Sequence, residues 1–405
     1  MPKRASAVII AGFFTLFIAY AVRYGYGMLL PEMLPALSIS KAEAGVVYSS
    51  YFIAYTIFSP ILGVLADRYN VRTILTVFVA LLGIGAFLMS FATSVLNASL
   101  FFTLSGIGHS ACWVPVVALI QRWVSDRRRG MVLAFTDLGS GLGIAVWSLI
   151  LPVIVAAYDW RRGWVSLGIM AFMVAGLNYL SVRSPTPGQL SPRGSETDKP
   201  LTEPFRKTYV KLFLDAQFWL IGISYLLLSF VVLIIYTFLT TYAVEELQAP
   251  YENATRLIAL LALVGIFSKL ALGTLSDTLG RIRVMMICCA LLALGSLGMA
   301  YSKRFFTLTL TTILFGLGYG AIWPVYAAAA RDYFHRNVAG SVVGLWTLLL
   351  GIGSIISPIL SGWAIDTTGT YASAFFLALA ASVIALILLL PIPNRAYAGV
   401  DAYHD

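Results

Sequence analysis

Gly63-Val64-Leu65-Ala66-Asp67-Arg68-Tyr69-Asn70-Val71-Arg72 is a short charged turn set between two apolar runs. A reduced copy, Gly273-Thr274-Leu275-Ser276-Asp277-Thr278-Leu279-Gly280-Arg281, lies in the second half of the chain. The spacing that pairs Gly63 with Gly273 and Asp67 with Asp277 also pairs Gly106 with Gly316, Gly108 with Gly318, Trp113 with Trp323, Gly130 with Gly340 and Gly143 with Gly353. One register held across separate regions marks a duplication, so the chain reads as two like halves.

Outward from these turns, apolar runs long enough to cross a bilayer, about 20 residues each, recur along the whole chain. Their approximate cores are 7–34, 43–66, 71–93, 97–124, 129–157, 163–182, 215–243, 253–276, 282–301, 305–333, 338–364 and 371–391. Only 11% of residues are charged and 60% are hydrophobic, against about 25% charged in soluble domains. The expectation is an all-α membrane protein with twelve transmembrane helices in two pseudo-symmetric six-helix bundles. Residues 1–182 form the first bundle and 215–392 the second, with a linker at 183–214 and a tail at 393–405. The linker carries Ser184-Pro185-Thr186-Pro187-Gly188 and a further Pro, Gly and Ser-rich stretch, the composition of a spacer rather than a folded domain. Met1-Pro2-Lys3-Arg4 before the first run has the look of a signal peptide, but the run is too long and lacks a clear cleavage site, so it is expected to stay as a span.

Lysines and arginines follow the positive-inside rule. With both termini in the cytoplasm, the opposite face holds only Lys41, Arg161, Arg162, Arg256, Lys303 and Arg304, while the cytoplasmic segments hold most of the rest. A plasma (inner) membrane location with both termini cytoplasmic is therefore expected. The net charge of +9 sits in loops between spans, not on a folded basic module, so nucleic acid is not an expected partner. Cys112, Cys288 and Cys289 all lie in apolar runs without disulfide or metal-ligand spacing. No cofactor or metal is expected. No enzymatic activity is expected either, because no nucleophile–base set or phosphate loop is present. A monomer in the lipid bilayer is the expected state.

The Gly63–Arg72 turn and its Gly273–Arg281 copy resemble the loop signature of the major facilitator superfamily. Span count, linker and repeat extend that resemblance over the whole chain. Asn70 stands where glycine is usual; asparagine tolerates a left-handed conformation, so the turn is expected to survive. Val71 replaces a usual basic residue. The resemblance implies a transporter whose halves rock about a central site. Asp67 and Asp277 are expected to cap helix ends beside Arg68, Arg72 and Arg281. Together with Gly63 and Gly273 they would form a cytoplasmic gate whose ion pairs differ between two states.

Four ionisable residues lie deep in spans: Arg23, His109, Asp137 and Lys269. A mid-span arginine costs about 2.5–3.5 kcal/mol on insertion scales, so it marks a functional position by default. Arg23 shares a helical face with Tyr20, Tyr26 and Gly27, while Tyr24 is expected to point elsewhere. Its planar fork matches a carboxylate or phosphate; the bland reading pairs it with Asp137 or with carbonyls. Lys269 either supplies a second cation or snorkels toward the cytoplasmic surface. Asp137 is a proton-coupling site or a static counter-ion. His109 is a proton relay or a packing histidine. Tyr26 and its repeat mate Tyr236, with the aromatic residues Tyr319 and Trp323, are expected to line the cavity and bind substrate, although aromatics in spans mostly serve as core.

Monocarboxylate and oxalate–formate type carriers are similar around Lys269, with an arginine four residues before the glycine equivalent to Gly273. Tyr20-Ala21-Val22-Arg23 followed by Pro31 and Pro35 resembles the first helix of organophosphate–phosphate exchangers. Those use a second arginine where this chain has Leu233, which turns the expectation toward a smaller anion. The expected function is secondary transport of a monocarboxylate or short dicarboxylate, by proton symport or anion exchange. A proton-coupled exporter of drugs or other hydrophobic compounds is the alternative, but cationic drugs favour acidic sites and the spans hold one deep acid. A transport-fold ligand sensor is the alternative of another class. The gate reading predicts that Asp67→Asn slows transport while substrate binding is nearly unchanged; a folded variant that no longer binds would remove it.

Overall fold

A computed structural model of the chain describes residues 3–124, 126–183, 210, 212–334 and 336–394. Among the described residues every regular element is a helix. In order these are α1 Lys3–Leu37, α2 Lys41–Arg68, α3 Val71–Met89, α4 Val95–Ser110, α5 Val114–Trp123, α6 Asp126–Ala157 and α7 Trp160–Ser181. The second half gives α8 Ala216–Glu245, α9 Tyr251–Leu279, α10 Arg281–Tyr301, α11 Phe305–Tyr319, α12 Ile322–Tyr333, α13 Arg336–Thr368 and α14 Ala372–Leu389. Twelve segments are long and apolar enough to cross a membrane, as the apolar runs imply. Most of the 183–214 linker and the 395–405 part of the tail lie outside the described residues.

Two runs that read as unbroken are interrupted. The fourth span breaks between α4 and α5, and the tenth between α11 and α12, at equivalent places in the two halves. Pro115 and Pro324 lie in the first turns of α5 and α12. Proline lacks the amide hydrogen that would continue the preceding ladder but is tolerated where a helix starts. Uniform hydrophobicity hides such a break.

By proximity the chain forms two compact units. One comprises Met1–Arg193, Tyr236–Ala262 and Ile355–Tyr371; the other comprises Gly194–Ile235, Leu263–Ser354 and Ala372–Asp405. In the first unit, α1 and α6 meet along a small-residue seam, with Gly139 and Gly143 against the backbone of Phe13 and Phe17. The α1–α8 crossing is closer still. A Cβ placed on Gly27 would lie 1.9 Å from the Tyr236 carbonyl oxygen, so only glycine admits this approach. The exposed stripe Ile53, Ile57, Ile61 and Val64 on α2 is suited to lipid.

At the end of this unit opposite the N-terminus, polar contacts fasten five helices, α1, α2, α8, α9 and α13. The Asp366 carboxylate accepts from the backbone N–H groups of Lys41 (3.1 Å) and Ala42 (2.8 Å), capping α2 from α13. Lys41 Nζ lies 3.1 Å from Glu245. The Tyr371 hydroxyl donates to Glu245 at 2.9 Å and its backbone N–H to Glu246 at 2.6 Å. Burial, then the Glu245 carboxylate, pushes the pKa of the Tyr371 hydroxyl up, which keeps it a donor. Tyr251 donates to the Met28 carbonyl at 2.8 Å, and Ser49 to that of Ile355 at 2.6 Å.

Gly27→Ala is expected to destabilise the protein by about 1–3 kcal/mol, the usual cost of overpacking. Gly176→Ala, where the added Cβ would meet nothing within 4 Å, is the matched control. Thermal midpoints in detergent compare the two, and equal midpoints would contradict the role given to Gly27.

Candidate functional site

Arg23 projects from α1 into the first unit and is 6% exposed. Four rings surround its guanidinium. The Cζ atom lies 4.6 Å from the Phe52 ring centroid, 5.3 Å from Tyr55, 5.4 Å from Tyr24 and 5.8 Å from Tyr20. Ring quadrupoles stabilise a cation by about 0.5–2 kcal/mol per contact, most when water is excluded. They do not satisfy its N–H donors. Among the described residues, Arg23 Nε has no hydrogen-bond partner. The Tyr48 hydroxyl donates to the Arg23 carbonyl at 2.9 Å and so fixes the backbone rather than the guanidinium. The result is a buried cation, held by ring faces, with a donor directed at no protein acceptor.

Two tyrosines occupy places other than the helical-face argument gives. Tyr24, expected to point elsewhere, is part of the cage, because the long arginine side chain bends over its neighbour. Tyr26, expected beside Arg23, is fully buried between α2 and α4. It stacks on Tyr48 (4.7 Å) and Phe102 (5.1 Å), and its hydroxyl donates to the Ala44 carbonyl at 2.8 Å. The α2 contribution is the part missing from the sequence reading. Tyr48, Tyr51, Phe52 and Tyr55 fall at the i, i+3, i+4, i+7 spacing of one helical face, and that signal was available.

His109, at the end of α4, is fully buried in the same cluster. Its Nδ1 and the Tyr51 hydroxyl share a hydrogen bond of 2.5 Å. Its ring meets Tyr20 at 5.1 Å and Tyr55 at 5.2 Å, edge to face. Among the described residues, its buried Nε2 has no hydrogen-bond partner. Asp137 on α6 is half-buried and lies within electrostatic reach of Tyr20. The Ser140 hydroxyl donates to the Asp137 carbonyl at 2.6 Å and also approaches Oδ1 at 3.3 Å. Tyr236 brings α8 to the cage, its ring centroid 4.0 Å from that of Tyr24. Arg23, His109, Asp137 and Tyr236 thus gather around two tyrosines of α1.

The second unit holds the other predicted residues. Lys269 is half-buried on α9. The neighbouring Ser268 hydroxyl donates to the Leu317 carbonyl on α11. One turn earlier, a Cβ on Gly265 would lie 2.9 Å from the Tyr319 ring. Trp323 meets Tyr319 (6.4 Å) and Tyr225 (5.6 Å) edge to face. Tyr225 stacks on Tyr326 at 4.6 Å.

The two turn motifs differ in detail. Asp277 caps no helix: α10 begins after Gly280 without a side-chain cap, and Asp277 instead pairs with Arg281 at 2.6 Å. Arg281 also binds Asp332 of α12 at 2.8 Å and donates to the Ser276 hydroxyl. Asp332 was not legible as a partner, since it lies far along the chain. Gly280 takes φ +89°, the left-handed side that glycine alone adopts readily. Asn70, at the equivalent place, does not: its φ is −68°, and its side chain accepts from the Arg72 backbone N–H at 3.0 Å, capping α3. An asparagine cap replaces the left-handed turn. Arg72 lies 4.1 Å over the Tyr179 ring, and Arg68 is exposed. The Asp67 side chain lies outside the described residues. Neither Gly63 nor Gly273 is crowded.

A family model described as Major Facilitator Superfamily matches residues 12–303 and 257–404. Among curated relatives, a hexuronate transporter of Bacillus subtilis (strain 168) is 26% identical, with 89% of this chain and 88% of that protein covered. Monocarboxylate transporter 12-B of Danio rerio is 24% identical, covering 78% and 72%. The membrane sensor protein UhpC of Escherichia coli (strain K12) is 24% identical, covering 94% and 91%. A crystal structure of a bacterial homolog to the human lysosomal transporter Spinster, inward-facing and occupied, superposes with a TM-score of 0.78 at 15% identity, covering 96% of each chain. The nucleoside transporter NupG gives 0.76 at 14%, covering 96% and 98%. These structures share the fold.

Removing a carboxylate from Arg281 should matter in proportion to its burial. The Asp332 side chain is 22% exposed and that of Asp277 is 58% exposed. Asp332→Ala is therefore expected to lower the thermal midpoint more than Asp277→Ala. The reverse order would contradict the ranking.

Proposed function

The chain belongs to the Major Facilitator Superfamily, and on that premise we propose that it is a secondary transporter of a small organic anion. A monocarboxylate or short dicarboxylate is the substrate, carried by alternating access. The caged Arg23 guanidinium, with its unpartnered Nε, is the observation that supports this most. A carboxylate would complete the missing hydrogen bond with a charge-assisted one, about twice as strong as a neutral pair. The similarity to proteins named as hexuronate and monocarboxylate transporters supports an organic anion.

In this reading Arg23 receives the carboxylate and Lys269 supplies a second cation along the path. Tyr236, Tyr319 and Trp323 border that path. Asp137, close to Tyr20, is the proton site, with His109 as its relay; a proton carried with a monocarboxylate cancels its charge. The halves 1–182 and 215–392 are the moving bodies. Both termini face the cytoplasm of a plasma membrane, supported by the charge bias of the loops. The Arg281, Asp277 and Asp332 network is then part of a cytoplasmic gate. The chain performs no catalysis and works as a monomer. Similarity to a sensor protein favours a second reading, in which the ligand is bound but not moved.

Counterflow in liposomes with a panel of labelled carboxylates tests the proposal. Arg23→Ala and Lys269→Ala are each expected to lose carboxylate flux, and retention by both would remove the anion site. Binding without flux would favour the sensor reading. Asp137→Asn is expected to abolish uptake driven by a pH gradient while leaving exchange intact. Unchanged gradient-driven uptake would take the proton role from Asp137.

A further inference from the structure

The segment leaving the last helix of each half is anchored by the same bond. The Trp123 indole N–H donates to the Arg183 carbonyl at 2.9 Å, and the Tyr333 hydroxyl donates to the Pro393 carbonyl at 2.8 Å. The register that pairs Gly63 with Gly273 also pairs Trp123 with Tyr333 and Arg183 with Pro393. Val182 and Ile392, one residue before each anchor, are both buried.

The next residue differs. Ser184 follows Arg183, whereas Asn394 follows Pro393. The Asn394 amide bridges the second turn motif. Its Nδ2 donates to the carbonyl of Leu279, the last residue of α9, at 2.8 Å. Its Oδ1 accepts from the Arg283 backbone N–H, in the first turn of α10, at 3.3 Å. First-turn N–H groups have no partner within their own helix, and a capping side chain ordinarily accepts from one of them. In the first half Asn70 does this from inside the turn. Gly280 stands at the equivalent place in the second half, and its own turn gives α10 no side-chain cap. A Cβ on Gly280 would lie 2.4 Å from Asn394 Oδ1, so the glycine leaves the space that the amide fills. The capping amide thus comes from the turn in one half and from the segment after α14 in the other. The points that this segment ties, Leu279, Arg283 and Tyr333, flank Arg281 and its partner Asp332 along the chain.

We propose that Asn394 is a positioning residue for the second gate turn. It caps α10 from outside the turn, fixes the start of the helix that carries Arg281, and so holds Arg281 between Asp277 and Asp332. The segment after α14 is thereby a strap, and its release loosens the ion-pair network. The proposal rests on the gate reading of that network given above.

Amide hydrogen exchange of the full-length protein, read on a peptide spanning Leu279–Met285, tests the cap. Asn394→Ala is expected to raise exchange there by about two- to tenfold, the range of one neutral hydrogen bond. Asn394→Asp keeps the acceptor and is expected to retain most of the protection, which controls for folding. Carboxylate counterflow in liposomes tests the positioning. Asn394→Ala is expected to lower flux by about two- to tenfold in the unaltered background, and by less than about twofold once Arg281→Ala has removed the residue it positions. Thermal midpoints of the same four proteins repeat the comparison without substrate, and Asn394→Ala is expected to lower the midpoint less beside Arg281→Ala. Unchanged exchange in Asn394→Ala would overturn the proposal, and so would equal losses in the two backgrounds. Full flux in Arg281→Ala would remove the gate reading and the positioning role with it. If the unaltered protein moves no carboxylate, the anion reading falls, and exchange with the midpoints decides the strap.

Discussion

A positive charge cannot rest in an apolar bundle without compensation, and the first unit is arranged around that requirement. Arg23 is compensated by ring faces instead of a formal counter-charge on its Nε. This choice places demands on its neighbours. The α2 aromatic face must lie against α1, and the Tyr48 hydroxyl holds the two together through the Arg23 carbonyl. The α6 glycines bring Asp137 near Tyr20, and Gly27 lets α8 lay Tyr236 on Tyr24. These close approaches of α6 and α8 to α1 therefore also deliver side chains to the charged centre. Helix packing and site construction are one event here.

The duplicated turn shows how two copies of one motif reach similar ends by different chemistry. The second copy keeps a basic residue, Arg281, and binds it to two carboxylates. The first copy has Val71 at that place, and Arg122 in the register of Asp332. Its neighbour Arg72 settles on the Tyr179 ring. Backbone differs as well: glycine turns left-handed in one copy, and asparagine caps an extended entry in the other. The two halves thus respond differently to the same substitution, despite their common register.

Most of the fold was legible because spans declare themselves through long apolar runs and the repeat fixes their grouping. The breaks near Cys112 and Gly320 were not, because hydropathy is blind to a missing amide hydrogen. In the site, Arg23, His109, Asp137 and Lys269 stood out as charges where charges are rare. Their surroundings did not. By spacing alone Tyr26 belongs beside Arg23, whereas the Tyr26 hydroxyl finds the Ala44 carbonyl and the arginine reaches Tyr24 instead. The aromatic face of α2 is visible in the spacing, but that it packs over Arg23 is decided only by the tertiary fold. Asp332 meets Arg281 only through the tertiary fold.

Asp366 ties the start of α2 to α13. Before it is capped, the start of α2 presents backbone N–H groups, and Asp366 presents two oxygens; both kinds of group are well hydrated when released. Water can replace each partner, but hydrogen bonds to a charged group such as this carboxylate are worth about 1.5–3 kcal/mol each. The same seam is also packed backbone to backbone, with Gly45 against Pro358 and Gly362 against Lys41. A larger side chain at Gly45 or Gly362 would push α13 away from α2 and, in the same movement, take Asp366 from the backbone it caps.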